Sequence, residues 1–287
     1  MKYLKLTMNY TNKKFFILFL LFIVPSVLMT FLLSPSAVAK FLYNYLKTDY
    51  NGFAEIYAAV LGIDLRLLIL GIAGILVLSF VLSITFGAIS RHMLTGNFDV
   101  SPALIKNRLN YNFATALKVC LSAVVVFEVF SFLEAAFFYM WTLVPNKTVG
   151  LVLSVITWAV MIFLQLLVFS VIILWTPNML HSGFKSAEAL TYGIRQINGN
   201  VFKTVFALVI PLLPFLVLMI IGTAAEMRLG GLLRVVDSLT YLAVFIYYIA
   251  LMYGLFFDLT GTERADLKAK KEEKRGFAWD KKRGKKR

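Results

Sequence analysis

Residues 67–90 read LLILGIAGILVLSFVLSITFGAIS, a run of 24 residues between Arg66 and Arg91 without one charged side chain. An α-helix rises about 1.5 Å per residue, so roughly 20 apolar residues span the ~30 Å hydrocarbon core of a bilayer. Four further charge-free runs of similar or greater length lie at 15–39, 148–184, 204–225 and 238–257. This pattern predicts an all-α fold, a polytopic membrane helix bundle with short interfacial helices.

The composition supports a membrane protein. The 287 residues are 60% hydrophobic and 15% charged, with a mean hydropathy of +0.81. Soluble chains carry about 45–50% apolar and about 25% charged residues. The single cysteine, Cys120, excludes an intramolecular disulfide, a cysteine-based zinc site and an iron–sulfur cluster. Two histidines exclude most His-rich metal chemistry, and we expect no cofactor and no metal.

The runs predict six transmembrane helices within a bundle of residues 1–258. The predicted spans are 15–34, 67–89, 116–141, 150–175, 204–224 and 238–258. The third span is the least uniformly apolar, because Lys118, Glu128 and Glu134 interrupt it. A signal peptide cleaved after Ala37-Val38-Ala39 is the alternative for the first span. Its apolar run of 19 residues is long for a signal core, which favours a retained helix.

Basic residues predict the orientation. With a cytoplasmic N terminus, the inner segments before residue 259 contain eleven Lys and Arg residues, and the outer segments contain six. The segment 259–287 adds twelve basic residues to the inner side. We therefore expect a multi-pass protein of the cell membrane with both termini in the cytoplasm.

The two predicted inner loops resemble each other. Residues 93–98 (MLTGNF) correspond to 179–184 (MLHSGF), and 110–113 (NYNF) correspond to 198–201 (NGNV). The offsets, 86 and 88 residues, suggest a duplicated hairpin, 67–141 and 150–224. Each inner loop also contains a short amphipathic segment, expected either on the membrane surface or packed under the bundle.

The predicted outer loop, 35–66, contains two short amphipathic helices around an Asn-Gly turn, and we expect it to form a lid on the bundle. A surface for binding a partner is the alternative.

The segment 259–287 carries twelve basic and five acidic residues and few apolar ones, which predicts a basic, disordered cytoplasmic tail. Its predicted lipid-surface residues are Lys270, Lys271, Lys274, Arg275, Phe277, Trp279, Lys281, Lys282 and Arg283. Basic side chains are attracted to anionic lipid, and aromatic rings insert at the interface. The expected partners are the lipid bilayer, including anionic lipids, and another membrane protein. A ribosome or another soluble partner is the alternative for the tail, and nucleic acid is disfavoured.

A candidate polar site lies within the bilayer. Glu128, Ser131 and Glu134 follow one another at three-residue steps on the third span, and Gln165 lies at a comparable depth on the fourth. We expect Glu128 to hydrogen-bond Gln165, with Tyr247 or Tyr248 joining. A carboxylate within the membrane is costly and is therefore a candidate functional group, here for a proton- or cation-binding site. We favour the other interpretation, in which a neutral Glu128 is a structural link between helices, worth about 1 kcal/mol.

Other intramembrane residues suggest packing. Ser79, Ser83 and Gly87 recur every four residues on the second span and predict close helix approach. Pro211 and Pro214 on the fifth span predict a kink. No phosphate-binding GxxxxGK loop or HExxH pair is present, so the chain is not identified as an enzyme.

The segment from Trp175-Thr176-Pro177-Asn178 to Asn198-Gly199-Asn200-Val201-Phe202 resembles a pattern in bacterial six-span families of unknown function. These are the YciC-type inner-membrane proteins and the membrane domain of some glycerophosphoryl diester phosphodiesterases. The likeness covers about a sixth of the chain. It implies a six-span architecture in a bacterial plasma membrane and brings no catalytic residue.

Three functions remain open. The first is a non-catalytic accessory or scaffold component of a membrane assembly. The second is a small-solute transporter or permease with a polar site around Glu128 and Gln165. The third is an insertase-like factor whose basic tail binds a ribosome or partner. An insertase would prefer a positive charge within the bundle, and the sequence predicts none there.

Overall fold

The computed structural model describes residues 2–50, 52–62, 67–98, 102–226 and 231–267, which form ten helices and no strand. The helices are α1 (Lys2–Met29), α2 (Ala37–Asn44), α3 (Phe53–Leu61), α4 (Leu68–Thr95), α5 (Pro102–Thr142), α6 (Lys147–Ile172), α7 (Trp175–His181), α8 (Ser186–Ile197), α9 (Val201–Glu226) and α10 (Leu232–Leu259).

Six of the described helical segments are long and apolar enough to cross a membrane: α1, α4, α5, α6 continued by α7, α9 and α10. The chain is therefore an all-α, polytopic helix bundle, as the sequence predicts. Because consecutive spans alternate in direction, α2 and α3 lie at one end of the bundle, and the C-terminal end of α10 lies at the opposite end. We call these the α2–α3 end and the tail end.

The spanning helices contact one another in the order α1, α4, α5, α6, α9, α10 and back to α1. Their burial differs widely. In the most apolar 18-residue window, 67% of α10 and 56% of α4 is buried, against 11% of α5 and of α6. The main core therefore lies around α10, α4 and α1, where Phe22, Ile89 and Tyr253 are almost fully buried. Helices α5 and α6 form a less covered flank.

A second apolar cluster fills the bundle at the α2–α3 end. It joins Phe41 and Ile56 of the two short helices to Ala135 and Phe138 of α5, all at most 2% exposed. The predicted outer loop thus forms two helices, α2 and α3, that pack between the spans. We call these two helices, together with the described residues that join them, the lid.

The structure departs from the sequence expectation at the tail end of α5. The first inner amphipathic segment is the start of α5 itself, because Pro102 suits a first helical turn and no glycine or proline follows before Thr142. In the second hairpin, Gly199 adopts φ +82° and separates α8 from α9. The equivalent position in α5 is Tyr111, so the two hairpins differ here.

The chain remains ordered beyond α10, although the sequence predicts disorder from residue 259. Gly261 turns the backbone at φ +67°. The Arg264 guanidinium then donates two hydrogen bonds to Asp266, at 3.1 and 2.8 Å, and both side chains are about nine-tenths buried. The nine predicted lipid-surface residues of the tail lie outside the described residues.

Candidate functional site

The predicted polar stripe lies on the α5 flank that the lid partly covers. Glu128 and Ser131 are half-buried, and Glu134 is only 3% exposed. The stripe therefore runs from a partly open position into the interior as α5 approaches the α2–α3 end. Ala135, next to Glu134, belongs to the apolar cluster that joins α5 to the lid.

Glu128 is held by the lid. The Tyr57 hydroxyl of α3 donates a hydrogen bond of 2.9 Å to Glu128 Oε2. Phe132, one turn further along α5, packs edge-on against the rings of Tyr57 and Phe53. Burial and the hydrogen bond to Glu128 raise the pKa of Tyr57, so its hydroxyl stays a donor. Helix α3 thus lies along α5 and places a neutral phenol on the carboxylate.

The expected contact between Glu128 and Gln165 is replaced by the bond from Tyr57. Gln165 is half-buried on α6. Tyr248 of α10 donates instead to the backbone carbonyl of Phe169, at 3.3 Å, and Tyr247 packs in the main core. The expectation was wrong because α3, one of the two short helices predicted in the outer loop, reaches α5 from the α2–α3 end.

Three contacts fix the lid to α5 and α6. The rings of Phe41 and Phe138 stack, with centroids 5.0 Å apart. The Tyr45 side chain crosses α6 at Gly150, where an added Cβ would lie 2.5 Å from the Tyr45 hydroxyl oxygen. Lys147 forms a salt bridge with Asp49, which lowers the pKa of that exposed carboxyl. The lid is therefore part of the folded bundle.

A buried carboxylate that the sequence analysis did not single out fastens the lid to α10. Asp237 is 1% exposed. It accepts hydrogen bonds from the hydroxyls of Ser34 and Ser36, at 2.6 and 2.9 Å, and from the Ser36 amide, at 3.0 Å. The only sequence signal was an aspartate at the edge of an apolar run, and nothing there identified the partner serines.

A further polar cluster lies at the tail end. His92 Nδ1 and the Tyr10 hydroxyl oxygen are 3.2 Å apart, and both residues are buried. Asp258 accepts hydrogen bonds from the Lys2 ammonium and from the Tyr3 hydroxyl. These contacts join the first turns of α1 to the ends of α4 and α10.

Arg108, which the sequence places in an inner loop, lies inside the tail end of the bundle and is 8% exposed. Its side chain crosses Gly87 of α4 so closely that an added Cβ would lie 2.7 Å from Arg108 Cδ. Because Gly87 has no side chain, there is room for the Arg108 side chain. The expectation that the bundle contains no positive charge is therefore wrong.

Of the predicted packing residues of α4, Ser79 and Ser83 are buried and Gly87 is half-buried. The hydroxyls of Ser79 and Ser83 donate to carbonyls of their own helix, those of Ile75 and Phe80. Sequence reasoning missed Gly71 on the same helix. There an added Cβ would lie 2.9 Å from the backbone of Leu32, so α4 nearly touches the chain that leaves α1.

Helix α9 runs without interruption through both Pro211 and Pro214. Within the described residues, no three His, Cys, Asp or Glu side chains converge as metal ligands. A comparison of the chain with protein-family models, with curated proteins and with solved structures found no match.

Proposed function

We propose that the chain is a non-catalytic accessory or scaffold component of a cell-membrane assembly, and that a helix of another membrane protein packs against α6. The exposed face of α6 carries this proposal. The resemblance to the YciC-type proteins and to the phosphodiesterase membrane domain agrees with a six-span, non-catalytic architecture. The basic segment at the C terminus agrees with cytoplasmic termini.

One row of exposed residues on α6 follows a regular spacing. Val149, Val152, Ile156, Ala159 and Phe163 are all exposed and succeed one another at steps of three, four, three and four. This is the a/d spacing of a coiled-coil seam, in which side chains of one helix fit between those of a facing helix. We call these five residues the α6 seam. Val155, Val160 and Leu164 lie beside this row and are exposed as well.

The chemistry of the α6 seam suits packing against protein. Three of its residues are β-branched, and their χ1 angles are already restricted, so packing them costs little side-chain entropy. Association of helices in lipid depends on van der Waals fit, and most such helices cross at about +20°, the geometry of a left-handed coiled coil. With 11% of its apolar window buried, α6 has room for another helix.

The polar groups of α5 also support a structural role. The lid covers Glu128 with a hydrogen bond from Tyr57 and packs beside Glu134. Two cavities among the described residues lie elsewhere. One is between α1 and α10, and the other is at the tail end beside Gly87.

A photo-crosslinker scanned through positions 149–163, one position at a time in cells, tests the proposal. Protein adducts should form at the five positions of the α6 seam and weaken at Leu153 and Thr157, which are half-buried against the bundle. A matched scan of α9 through Val217 and Ile221, which are also exposed, provides the control. Uniform lipid adducts along α6, or protein adducts without a period of three to four residues, would overturn the proposal.

Transport is the second candidate, and Glu134 is the observation that favours it. A carboxyl group that is 3% exposed in a spanning helix is costly to keep unless it serves a function. In proteoliposomes, a transporter coupled to this group should lose proton or solute flux in Glu134→Gln and retain it in Glu55→Gln, an exposed carboxylate of the lid. Absence of flux across a panel of solutes in the unmodified protein would remove this candidate.

A further inference from the structure

We propose that the groove between α1 and α10 at the α2–α3 end is a binding site for an anionic phospholipid. In this site, one acyl chain lies between the two helices and Arg234 binds the phosphate. The site is separate from the α6 seam and from the carboxylates of α5, so it does not depend on either proposed function.

The groove has the dimensions of a lipid chain. It has a volume of about 330 Å³ and is lined by Phe19, Ile23, Ser26 and Val27 of α1, by Thr30 and Phe31 just after α1, and by Arg234, Val235, Ser238, Leu239 and Leu242 of α10. From Phe19 to Met29, where α1 ends, the helix advances ten residues, roughly 15 Å at about 1.5 Å per residue. One leaflet of the hydrocarbon core is about 15 Å deep. The groove therefore matches a single leaflet.

The polar groups of the groove lie where a phospholipid needs them. Arg234 is exposed at the α2–α3 end, and its guanidinium lies 5.2 Å from the centre of the Phe31 ring. The nearby Asp237 carboxylate is buried and faces Ser34 and Ser36. Guanidinium groups pair well with phosphate oxygens because their N–H donors form a planar fork. The charge at the mouth of the groove therefore complements an anionic headgroup.

Below Arg234 the groove contains an unsatisfied hydroxyl. Ser26 is 1% exposed, and its oxygen has no hydrogen-bond partner among the described residues. A buried hydroxyl without a partner costs free energy, so a ligand that supplies an acceptor is favoured. The ester carbonyls of a phospholipid lie just below its phosphate, at the depth where Ser26 and Ser238 line the groove. A hydrocarbon side chain from a neighbouring helix would leave this hydroxyl unsatisfied.

A photo-crosslinker at Leu239, which lines the groove and is 44% exposed, tests the site in vesicles of equimolar phosphatidylglycerol and phosphatidylcholine. The lipids in the adducts are identified by mass spectrometry. We expect about fivefold enrichment of phosphatidylglycerol, which corresponds to about 1 kcal/mol. The same probe at Val217, an exposed residue of α9, should give the bulk ratio.

Two charge variants test whether Arg234 is the source of the selectivity for phosphatidylglycerol. Arg234→Gln should return the Leu239 adducts to the bulk ratio, whereas Lys40→Gln removes an exposed charge from the same end of the bundle, outside the groove, and should leave the enrichment unchanged. A bulk ratio in the unmodified protein would overturn the proposal. So would enrichment that survives Arg234→Gln, or adducts made only with protein, since these would show a helix in the groove.

Discussion

Asp237 of α10 and Ser36, in the turn before α2, are joined by two hydrogen bonds. The Ser36 amide donates to Oδ1 at 3.0 Å, and the Ser36 hydroxyl donates to Oδ2 at 2.9 Å. Nearby, the Tyr241 hydroxyl donates to the carbonyl of Leu33 at 2.9 Å. The turn from α1 into the lid is thus fixed to α10 at two points one helical turn apart.

Replacing Asp237 by alanine should destabilise the bundle by about 2–3 kcal/mol, because it leaves the donors of the buried Ser36 and the half-buried Ser34 unsatisfied. Thermal unfolding in detergent measures the change. Ser238→Ala is the control, since that hydroxyl bonds only within its own helix. Equal unfolding temperatures for the two variants would contradict a role for Asp237 in fastening the lid.

The close approach of α4 to the end of α1 predicts opposite outcomes for two glycine-to-alanine changes. Gly71→Ala should destabilise by about 1–3 kcal/mol, because the new Cβ would lie 2.9 Å from the Leu32 backbone, which cannot move alone. Gly254→Ala meets only an ordinary contact, 3.5 Å from an Arg264 nitrogen. It should be neutral or stabilise by up to about 1 kcal/mol through helix propensity. Chemical denaturation compares them, and a destabilised Gly254→Ala would count against this packing.

The bond between Tyr57 and Glu128 predicts coupling between the lid and α5. Tyr57→Phe and Glu128→Leu should each destabilise, and the double variant should cost less than their sum by about 1 kcal/mol. The coupling energy is obtained from the unfolding free energies, in detergent, of the unmodified protein, the two single variants and the double variant. Additive effects would mean that the two side chains do not interact in the folded protein. Tyr50→Phe, elsewhere in the lid, should be additive with Glu128→Leu.

The salt bridge between Lys147 and Asp49 predicts a pH-dependent contact. Lys147 lowers the Asp49 pKa in the folded state, so the contact is present above the unfolded value of about 4 and is lost as the pH falls through the folded value. Carboxyl NMR shifts should show the Asp49 pKa rising toward its ordinary value in Lys147→Gln and staying unchanged in Lys185→Gln. Both groups are exposed, so no measurable change in unfolding temperature is expected.

The ordered segment after α10 predicts where the chain tolerates truncation. Ending the chain after residue 267 keeps the pair of Arg264 and Asp266, and the unfolding temperature should change little. Ending it after residue 259 removes the pair from beside Gly254 and should lower the unfolding temperature. Asp266→Asn should also destabilise, by about 2 kcal/mol or more, because it leaves a buried guanidinium without its carboxylate. Equal stability of the two truncated chains would contradict this packing.

The amino-acid sequence alone determined the six spans and the two short helices of the lid, because the length and spacing of apolar residues are local properties. It also located Glu128 and Glu134 on one helix. It could not select Tyr57 over Gln165 as the partner of Glu128, since that choice depends on how deeply α3 lies along α5.

Only the tertiary structure decided which distant residues meet. Asp237 and Ser36 are 201 positions apart, and Arg108 lies across Gly87 only because α5 continues past the predicted membrane boundary. The groove between α1 and α10 likewise requires two helices from opposite ends of the chain. In a bilayer, an apolar helix face is in a favourable environment whether it contacts lipid or another helix. Which helices become neighbours therefore depends on close fit and a few buried hydrogen bonds, and apolar periodicity does not encode these.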